Sequence, residues 1–385
     1  MSTKPYCTAP WTGLIIRENG NVSTCCPGTT VLGNVQKQSI IKITESAELK
    51  KIKDDLMSGK KNKNCQVCYY QETNSGTATL KNHFNFHYPD IHKGLQYLDL
   101  RWSNLCNLNC VYCGPYSSSS WEDKLNPNNI KTIRNSYDIE LENWVLSKTE
   151  QIHELILIGG EPLLMKQNIA LLNKISNLSR ISVITNLSYN LSNNPCAELL
   201  FKRSKEHTFW NVSVENYGEK FEYVRTGADW QQFKSNLDLL VNHAPNNINL
   251  CMVYGIFSAL NLLDTVKFYY NLGVRKIQLG MIVNHPALDV FNFPLSILKI
   301  ARTQLSDVLD WQKQTYGIDY EYYKCHDIET ILAKLDQVIQ NNNHKIITKS
   351  VFIEEIKKYD NWTKYKFSEL WIEEYNQILN ELSSD

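Results

Sequence analysis

The chain reads as an α/β protein built on a parallel sheet, with a small cysteine-rich module ahead of the sheet and a helical region behind it. Three observations carry that reading. From about Leu95 short apolar runs alternate with amphipathic helical patterns, five of the eleven cysteines fall within the first seventy residues, and beyond about Pro294 only helical spacing remains. The implied divisions are 1–75 for the cysteine-rich module, 76–94 for a connector, 95–293 for the α/β part and 294–385 for the helical region.

Taken in order, Trp11–Arg17 and Val22–Cys25, joined through Glu18-Asn19-Gly20, predict a β-hairpin with Asn-Gly at its turn. A lysine-rich helical stretch then leads to Cys65-Gln-Val-Cys68, and the aromatic segment His83–Tyr88 reads as a packed connector. The alternating part predicts six strands, at Leu95–Trp102, Glu154–Ile158, Ile181–Thr185, Phe209–Glu215, Ile248–Tyr254 and Lys276–Val283. Helices are expected between them. Asn168–Leu178 repeats leucine and isoleucine at helical spacing, Trp230–Asn242 follows the N-cap candidate Asp229, and Asn261–Asn271 stops at Leu272-Gly273. Six βα units are too few to close an eight-stranded barrel. The tail predicts helices at Ile297–Trp311, Asp327–Gln340 and Lys366–Leu382, with Asn341-Asn342-Asn343 as a loop.

Composition narrows the function. Apolar residues make up 43% of the 385, enough for a sizeable core. Lysine plus arginine balance aspartate plus glutamate at 40 each, so the net charge is zero and no basic tract marks a nucleic-acid or anionic-membrane partner. No signal-peptide core and no run of eighteen apolar residues occurs, so a soluble, cytoplasmic protein is expected. In that setting cysteines bind metal or do chemistry rather than form a disulfide framework. Cys196, Cys251 and Cys325 are scattered and read as buried small apolar residues.

The chemistry concentrates in Arg101-Trp-Ser-Asn-Leu-Cys106-Asn-Leu-Asn-Cys110-Val-Tyr-Cys113-Gly114, a C-x3-C-x2-C triplet directly after the first strand. Structural zinc and ordinary iron–sulfur clusters take four protein ligands. Three thiolates without a fourth therefore suit a cluster that keeps one iron open to an exogenous ligand; a zinc loop borrowing a distant ligand is the alternative. At this spacing the chain resembles the radical S-adenosylmethionine (SAM) superfamily. The resemblance implies a partial (β/α)6 TIM-type barrel in which Cys106, Cys110 and Cys113 hold a catalytic 4Fe-4S cluster whose fourth iron is chelated by SAM. Tyr112 fits that family's loop.

Other segments agree, each at the end of a predicted strand where βα barrels place their reactive groups. Gly159-Gly160-Glu161-Pro162 can approach a ligand through its glycines and accept from an ammonium through its carboxylate, and its proline suits a helix start. In the family such a GGEP contacts the SAM amino group. Thr185-Asn186 resembles the family's T-N-G segment with Leu187 in place of glycine, and Ser213-Val214-Glu215-Asn216 resembles its S-x-D-G with Glu for Asp and Asn for Gly. The resemblance implies SAM contacts by Thr185, Asn186, Ser213 and Glu215, and pairing of Arg225 with the SAM carboxylate. Tyr254, Gly255, Asn261 and Gln278–Asn284 are expected near adenine or substrate. Cys251, Tyr254 and His285 lie near strand ends without an assigned role.

Cys7, Cys25, Cys65 and Cys68 can supply four ligands to a second metal site, with Cys26 able to replace Cys25. Zinc and iron both accept four thiolates. The spacing, with Gly20 ahead of Cys25 and Cys65-x2-Cys68 following, resembles the SPASM/twitch module, which implies an auxiliary 4Fe-4S cluster. The resemblance as a whole implies a radical SAM enzyme that cleaves SAM reductively to a 5'-deoxyadenosyl radical, for oxidative or cross-linking modification of a peptide. The alternatives are a sugar or nucleoside substrate, or a SAM-binding electron-transfer or sensing protein. An electron donor such as flavodoxin or ferredoxin is the expected partner, with no nucleic acid and no membrane.

Overall fold

The computed structural model describes residues 5–75, 79–125, 139–203, 205–282, 285–323, 325–341 and 345–382. The chain divides into two compact units: Met1–Cys106 with Pro115–Ile184 and Ser192–Phe209, and Asn107–Gly114 with Thr185–Leu191 and Trp210–Asp385.

In the first unit, strands β1 (Gly13–Ile16), β2 (Asn21–Ser23), β3 (Gly33–Asn34), β4 (Tyr97–Leu100), β5 (Glu154–Leu157) and β6 (Arg180–Thr185, its last residue in the second unit) lie in the order β3-β2-β1-β4-β5-β6. The hairpin forms as the Asn-Gly signal predicts: Ile15 pairs with Ser23, Gly20 turns at φ +82°, and the Asn19 side chain accepts from the Asn21 N–H. It begins later than expected, because Pro10 at a helix start turns Ala9–Thr12 into a short helix, α1. One pairing was not foreseen. β1 runs parallel to β4, with Gly13 opposite Tyr97 and Ile16 opposite Leu100, so the hairpin of the cysteine-rich segment extends the βα sheet.

Helix α2 (Ala47–Met57) is the lysine-rich stretch, opened by the Ser46 side chain accepting from Leu49 N–H. After α3 (Gln66–Ser75), the connector forms helix α4 (Thr79–His87). Phe84 and Tyr88 are buried against Ala9, Ile15, Cys25 and Tyr97, while Phe86 is exposed. Each buried ring contributes about 1.5–3 kcal/mol. β4, β5 and β6 are parallel, Leu98 facing Leu155 and Leu155 facing Ile181. Helix α5 spans Lys166–Lys174 rather than Asn168–Leu178, because Ile175 is already extended and Ser179 and Arg180 N–H turn to the His153 carbonyl to start β6.

The second unit holds β7 (Thr208–Ser213, from Trp210 onward), β8 (Ile248–Tyr254) and β9 (Ile277–Met281), parallel in that order. Asp229 caps helix α6 (Trp230–His243) by accepting from Gln232 N–H at 2.7 Å, and α7 (Leu262–Asn271) ends at Gly273, φ +96°. The Asp229 cap and the Leu272-Gly273 stop match the sequence signals. α8 (Leu295–Tyr316) and α9 (Ile328–Asn341) follow. The last expected helix is split into Phe367–Leu370 and α10 (Ile372–Glu381). Trp371 breaks it because its indole is buried among Phe367, Tyr223 and Phe257, with ring centroids at 4.9, 5.5 and 5.6 Å. The strands are otherwise trimmed, β4 to Tyr97–Leu100 and β7 at Ser213. Val283, Asn284, Asn342 and Asn343 lie outside the described residues.

Cys196 and Cys325 are buried as expected, whereas Cys251 on β8 is only partly so. Among the described residues no helix is long and apolar enough to cross a membrane.

Candidate functional site

In the first unit, the loop after β4 and the loop after β5 are bonded backbone to backbone. Gly160 N–H donates to the Ser103 carbonyl at 3.1 Å and Glu161 N–H to the Leu105 carbonyl at 2.8 Å. A Cβ on Gly160 would stand 2.2 Å from the Leu105 oxygen, and Gly159 has φ +136°. The close approach explains the first half of the GGEP segment without reference to any ligand. The buried Glu161 carboxylate accepts from Leu163 N–H at 3.1 Å, and Pro162 opens the one-turn helix Pro162–Leu164. Asn168 secures both sides, accepting from the Trp102 indole at 2.8 Å and donating to the Pro162 carbonyl at 2.9 Å. Cys106 is partly buried, its carbonyl accepting from the Ser120 hydroxyl at 2.7 Å.

In the second unit, Asn109 N–H donates to the Thr226 carbonyl at 3.0 Å and Val111 N–H to the Val224 carbonyl at 2.9 Å. This two-rung ladder seats buried Cys110 beside Arg225. The Arg225 guanidinium grips Glu215 with both arms, Nε to Oε2 at 2.7 Å and Nη2 to Oε1 at 2.6 Å, and its Nη1 lies 3.7 Å from Cys110 Sγ. Burial pushes the Cys110 thiol up, partly offset by the guanidinium. Burial acts downward on Arg225, but the Glu215 carboxylate and Cys110 hold it above its ordinary value. Cys113 N–H donates to the Cys110 carbonyl at 3.0 Å.

The Tyr112 ring packs edge-on against Phe257 at 5.7 Å and burial drives its phenol well up. Thr185 Oγ1 accepts from Leu187 N–H at 3.0 Å, and Asn186 Nδ2 donates to Asn107 Oδ1 at 2.9 Å. Leu187, where the resemblance expected glycine, keeps a left-handed backbone at φ +55° with its side chain buried. Asn216, also in place of glycine, is a buried hub. It donates to the Phe257 carbonyl at 2.6 Å, accepts from Asn261 Nδ2 at 2.9 Å and Thr265 Oγ1 at 3.3 Å, and its carbonyl accepts from Tyr269 at 2.6 Å. Ser213 closes β7, partly exposed. Tyr254 points into the core, donating to the Ala301 carbonyl at 3.3 Å. Gln278 is exposed and donates to Asp327 at 3.2 Å.

Back in the first unit, Cys7, Cys25, Cys65 and Cys68 line one cavity with Asn64, Tyr69 and Lys81, whereas Cys26 is exposed. Burial pushes the Cys7 and Cys25 thiols up to about 12, and the neighbouring sulfurs add to the rise. Burial raises Cys65 and Cys68 as well. Burial and mutual repulsion both favour the protonated thiols, so a metal centre bound there would have to displace their protons. Among the described residues no group of three or more His, Cys, Asp or Glu side chains is arranged around a single metal ion. The four cysteines share the lining of this one cavity. Sequence reading missed this cavity's other polar members: Asn64 Nδ2, which donates to Thr24 at 3.2 Å, and the Tyr69 hydroxyl beside Cys65. It also missed Asn107, whose partner Asn186 is distant in the chain.

Residues 7–69 match the SPASM iron-sulfur cluster-binding domain and residues 100–269 the radical SAM superfamily. A GTP 3',8-cyclase of Alkaliphilus metalliredigens is 24% identical over 185 residues, 47% of this chain and 53% of that protein. Among solved structures, native anSMEcpe with bound AdoMet is 16% identical over 56% of this chain and 60% of that one, with a TM-score of 0.39. Streptococcus suis SuiB bound to precursor peptide SuiA is 14% identical over 55% and 46%, with a TM-score of 0.38. The chain thus spans about half the length of the relatives it matches. A 4Fe-4S cluster with SAM is the cofactor set of the superfamily, and SPASM modules bind further iron–sulfur clusters. The C-x3-C-x2-C thiols and the four thiols around the N-terminal cavity have the donor chemistry for both. Residues 100–269 thus match the radical SAM superfamily, with a SPASM-type iron–sulfur module at residues 7–69 ahead of them.

Proposed function

We propose that this chain is an enzyme that cleaves SAM reductively and uses the resulting radical on a peptide or protein substrate. The observation that carries the reading is the C-x3-C-x2-C triplet at the end of β4, in a chain whose GGEP loop is hydrogen-bonded to the residues just before Cys106. Bound there, the cluster and SAM supply an electron and a 5'-deoxyadenosyl radical able to take a hydrogen atom from substrate. The chain's own part is to hold, orient and shield. Cys106, Cys110 and Cys113 would hold the cluster. Gly159 and Gly160 keep backbone close to the cysteine loop, and Glu161, Thr185, Asn186, Ser213 and Tyr112 are the candidates for orienting SAM. Cys7, Cys25, Cys65 and Cys68, which line one cavity, would hold the auxiliary cluster. An electron donor of the flavodoxin or ferredoxin type would supply the electron, and a chain with cysteines spaced as metal ligands suits a reducing, cytoplasmic setting.

The peptide assignment rests on the SPASM module, whose branch acts widely on peptides. The GTP 3',8-cyclase relative favours a second reading, a nucleotide substrate. Incubation with perdeuterated peptide and nucleotide fractions separates them: deuterium in 5'-deoxyadenosine from the peptide fraction alone supports the first, from the nucleotide fraction alone the second.

A further inference from the structure

Resting on the assignment of Cys110 as a ligand of the SAM-binding cluster, we infer that Arg225 sets that cluster's reduction potential through its hydrogen bond to the Cys110 sulfur. The arrangement is specific. Arg225 Nε and Nη2 are both committed to Glu215, which is fully buried, and this fixes the plane of the guanidinium and leaves Nη1 3.7 Å from Cys110 Sγ. The rungs from Asn109 and Val111 to Thr226 and Val224, at 3.0 and 2.9 Å, hold the two partners on adjoining backbone. A donor to a ligating sulfur withdraws negative charge from it and favours the reduced cluster, whose net charge is one unit more negative. Glu215 acts in the opposite sense, because its carboxylate neutralises the cation that the cluster faces. Arg225 is therefore a positioning and tuning residue whose strength Glu215 limits.

The two residues should shift the potential in opposite directions, which a general loosening of the site would not do. The test is an EPR-monitored redox titration of the anaerobically reconstituted protein without SAM, comparing wild type, Arg225→Gln, Arg225→Lys and Glu215→Gln. In Arg225→Gln the ratio of reduced to oxidised cluster at a fixed potential falls on the order of tenfold, a 59 mV negative shift for one electron. Arg225→Lys falls in between, and Glu215→Gln shifts positively. Unchanged potentials in clusters of normal iron content, or shifts of one sign in all variants, overturn the inference. If the variants fail to load iron, proton ENDOR of the reduced wild-type cluster in H2O and D2O decides: an exchangeable proton coupled to the cluster is expected, and none overturns it. Failure of the underlying assignment looks different, since wild type would then show no reducible cluster dependent on Cys110.

Discussion

Glu161 N–H donates to the Leu105 carbonyl at 2.8 Å, so the GGEP loop is joined to the residue immediately before Cys106. Gly160, one residue earlier, lies flat against the same backbone. Gly160→Ala should therefore force the two loops apart, since the obstacle is a carbonyl and not a flexible side-chain tip. Overpacking of this kind costs about 1–3 kcal/mol. A lower melting temperature together with weaker SAM binding is expected by calorimetry, and an unchanged SAM affinity would separate the loop contact from the cofactor site.

The SPASM module discriminates between adjacent cysteines. Cys25 lines the cavity with Cys7, Cys65 and Cys68, while Cys26 is exposed. Iron and sulfide analysis of reconstituted protein should show Cys25→Ser losing the auxiliary cluster's share and Cys26→Ser retaining it. Equal losses would mean that the pair exchanges roles.

Leu187 weighs backbone strain against burial. Its φ of +55° costs about 1–2 kcal/mol, which glycine would relieve, but its fully buried side chain is worth about 2–5 kcal/mol. Leu187→Gly should lower stability by about 1–3 kcal/mol in urea titration. A stabilised variant would show that the strain dominates.

Glu154, at the start of β5, accepts from His83 at 2.8 Å and Tyr88 at 2.5 Å, with Arg180 at 3.4 Å, and so ties α4 to the sheet. Burial acts to raise its pKa, but these hydrogen bonds and the arginine hold it below the ordinary 4.5. A depressed folded-state pKa adds stability that is present above the unfolded value and is lost as pH falls through the folded one. Glu154→Gln should cost about 1.5–3 kcal/mol at pH 7. The gap to wild type should narrow below pH 4.5. A gap independent of pH would mean that the charge plays no part.

What could be read from the sequence was what is contiguous in it. The cysteine triplet, GGEP, the Asn-Gly turn and the Asp229 cap each act within a few residues, so their chemistry is visible in order along the chain. The rest depends on partners far apart. Asn216 for glycine reads as a lost motif until Asn261, Thr265 and Tyr269 are seen bonded to it, and Leu187 reads as a departure although its backbone keeps a glycine-like conformation. Trp371 shows the same limit in the tail, where helical periodicity continues through a residue that aromatic packing pulls out of the helix. The parallel pairing of β1 with β4 had no local signal at all.

The central claim is tested most directly by 5'-deoxyadenosine formation from SAM by the anaerobically reconstituted, dithionite-reduced protein, beside a Cys106→Ala/Cys110→Ala/Cys113→Ala variant and with peptide and nucleotide fractions present. The account predicts product in wild type and none in the variant. No product from wild type of verified iron and sulfide content, with both fractions supplied, would contradict it.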